Sequence, residues 1–104
     1  MSDDPELAAI RARIDEVDAR LCRLLEERVA LVREAAALKA ARGVPLLDPG
    51  REEAIVRRAA GRTGLSEASV RAAFAGILEA CKRGIAGPPA QPPAGAGVGS
   101  SSNG

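Results

Sequence analysis

The feature that most constrains this chain is an apolar stripe that continues through its N-terminal part with helical spacing. The stripe recurs every three or four positions, in Leu7, Ile10, Ile14, Val17, Leu21, Leu24, Leu31 and Leu38. This spacing predicts one helix from about Pro5 to Arg42. About 37 helical residues at a rise of about 1.5 Å each make a rod of roughly 55 Å, nearly twice the diameter of a small domain.

Turn-forming residues further along the chain predict two shorter helices and no strand. Asp48 followed by Pro49 is typical of an N-cap with proline at the first helical position, and the second helix is expected to continue to about Ala60. Ser66 is the expected N-cap of a third helix. Its apolar stripe consists of Val70, Phe74, Ile77, Leu78, Cys81 and Ile85. The predicted fold class is all-α, a three-helix chain with one long N-terminal helix.

Two short helices cannot cover an apolar stripe as long as that of the first helix. An exposed stripe would promote aggregation, and a second copy of the chain packed along it would remove that exposure. We therefore expect an intertwined homodimeric helical bundle. A simple dimeric coiled coil would also bury the first helix, but it leaves the apolar faces of the other two helices unexplained.

The composition excludes several classes of function. The chain has 104 residues, 15 basic and 14 acidic, with no histidine, tryptophan or tyrosine and one phenylalanine. A net charge of +1 and the near absence of aromatic side chains argue against a nucleic-acid partner. Without histidine there is no Ser-His or Cys-His relay, and first-row metals lose their commonest ligand. We expect no metal and no cofactor.

The two ends of the chain predict its location and its domain organisation. The N-terminus is acidic where a targeting peptide would be basic, and no apolar run approaches about 18 residues, so we expect a cytoplasmic protein without membrane association. From Gly87 the sequence has no charged and almost no large apolar side chain. We expect a helical domain at 1–86 and a disordered tail rich in proline, glycine and serine at 87–104.

The two cysteines match no metal or redox spacing. Cys22 and Cys81 are far apart in the sequence, and each is the sole cysteine of its region. Both are expected to be buried as small hydrophobic side chains in a reducing compartment.

Two cations interrupt the apolar stripe of the first helix. The heptad that begins at Leu7 reaches Arg28, a guanidinium where an aliphatic side chain is expected. Arg28 and Lys39 share one face because steps of four, three and four residues connect them. Buried cations are costly unless they are paired. Either carboxylates such as Glu52 neutralise them, or the face forms a pocket for an anion.

Arg11 is a third cation on the first helix. It lies 17 residues before Arg28, about 25 Å along the helix axis, so one small molecule cannot contact both within one chain. In an antiparallel partner, Arg11 could complete the pocket of the other chain, and dimerisation would be a condition of function. Arg51 and Glu52 are expected over the end of the pocket, where the cap residue Asp48 could also orient Arg51.

Together, these apolar and charged positions form the pattern of a known family. They read Leu7-x-x-Ile10-Arg11-x-x-Ile14-Asp15-x-Val17-Asp18 up to Arg28, then Lys39, then Gly43-Val44-Pro45-x-x-Asp48-Pro49-x-Arg51-Glu52. The pattern resembles the all-helical class of chorismate mutase over about residues 5 to 86. The resemblance implies dimers of three-helix chains with a long shared first helix, in which each active site takes an arginine from the partner chain.

The resemblance also implies an activity. The reaction would be the Claisen-type rearrangement of chorismate to prephenate in phenylalanine and tyrosine biosynthesis. It transfers no proton, so it needs only a restrained substrate and fixed cations. Arg11 of the other subunit and Arg28 would bind the two carboxylates of chorismate, and Lys39 would donate to its ether oxygen.

The start of the second helix supplies the remaining implied contacts. Glu52 would accept a hydrogen bond from the substrate hydroxyl, together with the backbone near Asp48. Arg51 would support the substrate from the same helix.

The third helix departs from the family. The family usually has a glutamine or glutamate that hydrogen-bonds the ether oxygen, and this position is Ile85, which cannot donate. Cys81 stands where the family has a small polar residue, and its thiol is a weak donor. Residues 82–84 do not provide good replacements. A slow mutase, a different substrate and activation by a partner remain open.

Two alternative functions remain open, and Ile85 is the sequence feature that suggests the first of them. The first is an enzyme on another chorismate-like dianion, either an isochorismate pyruvate lyase or a mutase of 4-amino-4-deoxychorismate. The second is a non-catalytic helical dimerisation or regulatory module that binds another shikimate-pathway enzyme. Such a module would keep the apolar stripe without needing the charged positions together.

Overall fold

The computed structural model describes residues 4–86, which form three helices and no strand. Helix α1 spans Pro5–Arg42, α2 spans Pro49–Ala60 and α3 spans Glu67–Ala86. The all-α fold and the three helices expected from the sequence are confirmed. The tail expected at 87–104 lies outside the described residues. No helix within residues 4–86 combines the length and the apolar character needed to cross a membrane.

Local contacts at the helix ends explain where the helices begin and stop. Asp4, Asp48 and Ser66 each accept a hydrogen bond from a backbone N–H in the first turn of the following helix, at 2.9, 3.1 and 3.1 Å. Gly43 ends α1 with a φ of 69°, in the left-handed region that glycine adopts without steric cost. The N-caps predicted at Asp48 and Ser66 are therefore present.

Helix α3 packs against both other helices and defines the small core. Among residues 4–86, the buried side chains are Val56 of α2 together with Val70 and Cys81 of α3. At Gly84, α3 approaches α1 so closely that a Cβ atom would lie 2.6 Å from Val29 Cγ1. The lack of a side chain at Gly84 lets the two helices meet, which fixes α3 relative to the second half of α1.

The first half of α1 has no neighbour within a single chain. Residues 4–27 are all exposed, and no residue of α1 is buried. The apolar stripe of α1 is exposed by 43% at Leu7 and by 59% at Leu24. The molecule measures 58 Å along its longest axis and 17 Å along its shortest. A rod with an exposed apolar stripe is consistent with the expected homodimer, which stays a prediction.

The two cysteines lie in different environments. Cys81 is buried, as expected, whereas Cys22 is exposed. The expectation for Cys22 is wrong in the single chain, because Cys22 lies in the part of α1 that no other described helix covers.

A charged cluster joins α2 to α3. Arg71 donates hydrogen bonds of 3.0 Å to both carboxylate oxygens of Glu53 and a third of 3.0 Å to Glu67. These hydrogen bonds and the guanidinium charge hold the pKa of the Glu53 carboxyl below its ordinary value. The ionised form of Glu53 is therefore the form that supports the contact between α2 and α3.

Acid is expected to weaken this contact. The Glu53 pKa is lower in the folded chain, so the pair stabilises the fold above the ordinary value of 4.5. That contribution is lost as the pH falls through the folded value. We expect Arg71→Ala to lower the unfolding temperature at about pH 7, as measured by circular dichroism. Between about pH 7 and a pH below about 4.5, the unfolding temperature of Arg71→Ala should decrease less than that of the native chain. Arg83→Ala breaks an exposed ion pair within α3 and should leave the acid-induced decrease in unfolding temperature as it is in the native chain. An equal fall in native and Arg71→Ala chains would contradict the prediction.

Candidate active site

A cavity of about 180 Å³ lies where the second half of α1, the start of α2 and the end of α3 meet. Its charged lining consists of Arg28, Lys39, Asp48, Arg51, Glu52 and Lys82. The rest of the wall is aliphatic apart from the Cys81 thiol. Four basic and two acidic side chains leave a formal excess of two positive charges, which suits a small dianion.

The structure brings together seven of the eight side chains predicted for the site. They are Arg28, Lys39, Asp48, Arg51, Glu52, Cys81 and Ile85. The shared face of α1 is confirmed, because Val32 and Ala35 line the same cavity between the two cations. Arg11 is the exception, since it lies in the exposed first half of α1, about 25 Å from Arg28 along the helix axis.

Arg28 is partly buried and is held by the wall that α3 contributes. Its Nη1 donates a hydrogen bond of 3.0 Å to Cys81 Sγ. Because Cys81 is only 3% exposed, packing fixes its sulfur, and the contact restricts the orientations of the guanidinium. The sequence predicted Cys81 as a weak donor, but in the structure its sulfur is an acceptor.

Lys39 and Arg51 also line the cavity without a carboxylate partner. Lys39 Nζ donates to the carbonyl oxygen of Leu46, at 3.3 Å, in the segment between α1 and α2. The Asp48 carboxylate accepts a hydrogen bond from the backbone N–H of Arg51. This capping contact does not involve the Arg51 guanidinium. Within residues 4–86, no carboxylate lies within ion-pair distance of Arg28, Lys39 or Arg51.

Glu52 does not neutralise the cations of α1. Its Oε2 lies 3.2 Å from Lys82 Nζ, across the gap between α2 and α3. Of the two alternatives that the sequence left open for Arg28 and Lys39, the geometry therefore favours a pocket for an anion. Partly buried cations beside an apolar wall, such as Arg28 and Lys39, gain free energy when an anion pairs with them.

Lys82 is the charged residue of the cavity lining that the sequence did not lead us to expect in the site. The sequence predicted no good replacement for a donor at Ile85 among residues 82–84, yet Lys82 lines the cavity. The available signal was helical spacing, because Lys82 comes three residues before Ile85 and shares its face of α3. Arg83 pairs with Glu79 on the exposed side instead.

The fold and the site together define an all-α protein with a small, cationic, aliphatic pocket. No cysteine, aspartate and glutamate side chains within residues 4–86 form a group of three that could hold a metal ion. The chain belongs to the chorismate mutase type II family, whose family model matches residues 10–84.

Two relatives are similar to large parts of this chain. A chorismate mutase of Methanocaldococcus jannaschii is 42% identical over 53 residues, which are 51% of this chain and 54% of that protein. The structure of chorismate mutase (Form II) from Thermus thermophilus matches with a TM-score of 0.70 and 30% identity, over 74% of this chain and 90% of that chain. The chain matches about half the length of the Methanocaldococcus jannaschii protein.

Proposed function

We propose that this protein is a chorismate mutase, an isomerase that converts chorismate to prephenate in phenylalanine and tyrosine biosynthesis. The observation that carries the proposal is the cavity in which Arg28, Lys39 and Arg51 have no carboxylate partner among the described residues. Family membership and the activity named for both relatives support the same reaction.

The proposed mechanism uses fixed positive charge and no proton transfer. Negative charge grows on the ether oxygen as its bond to the ring breaks, and a preorganised cation stabilises that charge without reorganising water. We assign Lys39 to the ether oxygen and Arg28 to one substrate carboxylate, because a guanidinium can bind a carboxylate through two parallel hydrogen bonds. Both side chains project from one rigid helix, so the substrate is held in its reactive conformer.

The start of α2 is assigned to the ring of the substrate. Glu52 accepts a hydrogen bond from the ring hydroxyl, together with the backbone near Asp48, and Arg51 supports the substrate from the first turn of α2. Cys81 and Ile85 belong to the α3 side of the pocket, with Leu78 and Lys82. The aliphatic side chain of Ile85 forms part of the pocket wall and cannot form a hydrogen bond with the substrate.

The second carboxylate of the substrate is assigned to Arg11 of a second copy of the chain. The exposed apolar stripe of α1 is the surface that the second copy would cover. In an antiparallel pair, the first half of one α1 lies beside the second half of the other. Each cavity then receives Arg11 from the partner chain in addition to its own Arg28 and Arg51, and an isolated chain is incomplete.

Mixing two inactive variants tests the shared site. Arg11→Ala and Arg28→Ala homodimers should each be inactive, but a heterodimer of the two regains one complete site. Random exchange should therefore restore about a quarter of native turnover, measured as chorismate consumption by absorbance after native mass spectrometry has verified exchange. A mixture of Arg28→Ala with Lys39→Ala is the control and should stay inactive, since neither site of that heterodimer is complete. No recovery in the first mixture would contradict the shared site.

A comparison of three substrates tests the proposed function itself. Turnover is measured side by side on chorismate, isochorismate and 4-amino-4-deoxychorismate, and we expect a clear preference for chorismate. The alternative substrates are considered because Ile85 lacks the donor found in the family. Preference for either of them would replace the proposed activity, and inactivity on all three would favour the non-catalytic module. A cytoplasmic location and a shikimate-pathway enzyme as partner stay predictions.

A further inference from the structure

One ion pair among the described residues has both members in the lining of the cavity. Lys82 Nζ lies 3.2 Å from Glu52 Oε2, with side chains 42% and 33% exposed. A pair that is this accessible to water contributes little to folding stability. Its main effect is on the electrostatic potential inside the cavity, where a charged ligand would bind.

Lys82 offsets a carboxylate that would otherwise oppose a dianion. The other lining carboxylate, Asp48, already accepts the hydrogen bond that caps α2. Without Lys82, Glu52 would add an uncompensated negative charge beside the ligand, and like charges repel. With Lys82 in place, the Glu52 carboxylate can accept a hydrogen bond from a neutral hydroxyl while the cavity keeps its positive excess.

Lys82 also opposes the attraction that the Glu52 carboxylate would exert on a cationic group at this position. An aliphatic amine in place of the hydroxyl, as in 4-amino-4-deoxychorismate, is protonated at neutral pH. Its ammonium would enter the hydrogen-bonding range of Glu52 and would also lie near the Lys82 ammonium, which repels it. Ile85, one turn further along α3, carries no polar group that could offset this repulsion.

We infer that Lys82 is a specificity-determining residue, which through Glu52 selects a substrate with a hydroxyl over one with an ammonium group. The inference rests on the proposed function, because it uses the assignment of Glu52 to the ring substituent. It goes beyond that function by assigning a role to a side chain of α3 that supplies no group to the reacting bonds.

Substitutions at Lys82 test the inference through a ratio of two rates. The quantity measured is kcat/KM for chorismate divided by kcat/KM for 4-amino-4-deoxychorismate. Lys82→Gln and Lys82→Met remove the charge, and each is expected to lower this ratio about tenfold, which corresponds to about 1.4 kcal/mol. Lys82→Arg keeps the charge and should keep the ratio within about twofold of native.

A neighbouring residue provides the matched control for net charge. Arg83→Gln also removes one positive charge from α3, but Arg83 pairs with Glu79 outside the cavity. Its ratio should stay within about twofold of native. Circular dichroism identifies any variant that does not fold, and the two neutral variants at Lys82 have different side-chain chemistry, so a folding defect in one leaves the other as a test.

The outcomes separate the inference from the proposed function. An unchanged ratio in folded Lys82→Gln or Lys82→Met chains, with a native chain that converts chorismate, would overturn the inference alone. If the native chain converts neither compound, the proposed function fails, and calorimetric binding of the same two compounds decides the inference. The inference is supported if loss of the Lys82 charge raises the affinity for 4-amino-4-deoxychorismate relative to the affinity for chorismate. It is overturned if the ratio of the two affinities stays the same.

Discussion

Replacing Arg28 with alanine is expected to lower kcat/KM for chorismate at least about a hundredfold while the chain stays folded, a loss of about 2.7 kcal/mol in transition-state stabilisation. Arg28 has no carboxylate partner among the described residues, so its removal leaves no buried acid unpaired. It is only partly buried, and its side chain is held by the hydrogen bond to Cys81. The substitution should therefore weaken binding and turnover of the substrate and leave the stability of the fold nearly unchanged. Lys39→Ala is expected to behave in the same way.

The absorbance assay of chorismate consumption, paired with circular dichroism, measures both effects. Arg28→Lys should recover only part of the activity, because an ammonium keeps the charge but cannot form two parallel hydrogen bonds to a carboxylate. Arg42→Ala removes the same charge from the exposed last turn of α1 and is expected to keep native activity. Native turnover in folded Arg28→Ala chains would show that the pocket assignment is wrong.

Gly84→Ala is expected to disrupt the contact between α1 and α3 although it adds a single methyl group. The new Cβ would lie 2.6 Å from Val29 Cγ1, and the β-branched valine has little freedom to turn away. Overpacking of this kind costs about 1–3 kcal/mol, while alanine is favoured over glycine within a helix by about 1 kcal/mol. At a steric cost of about 2 kcal/mol the net loss is about 1 kcal/mol, which corresponds to an unfolding temperature lower by about 5 °C.

A second substitution tests whether that contact is the cause. Adding Val29→Ala to Gly84→Ala removes the clashing atoms and is expected to restore most of the unfolding temperature and of the activity. Gly76→Ala is the control on α3, because no heavy atom lies within 4 Å of its added Cβ, and it should keep or raise stability. A Gly84→Ala chain as stable and as active as the native protein would contradict the close approach of the two helices.

The helices and part of the site could be predicted because their causes are local in sequence. A hydrogen bond of an α-helix joins residues four apart, and cap residues act on the next turn, so periodicity, Pro49 and Gly43 were sufficient. The shared face of Arg28 and Lys39 follows from the same geometry. Their common cavity with Glu52 was expected from the charged positions and from the family resemblance, and it depends on how α2 is placed.

The pairing of side chains across helices could not be predicted in this way. The sequence contains several carboxylates that could neutralise Arg28, and spacing alone does not choose among them. The structure pairs Glu52 with Lys82 and places Arg28 against the sulfur of Cys81. Both contacts depend on the rotation of α3 about its axis, which the approach of Gly84 to Val29 fixes.

The sequence by itself determined three helices, their ends, a long apolar stripe and two cations on one face, because each depends on residues within a few turns. The tertiary structure decided which charges share the cavity and which are paired. Arg28 and Cys81 are 53 residues apart in the chain, and their contact exists only because helix packing brings them together. The same packing left Lys82 beside Glu52, where it sets the charge that a substrate would meet.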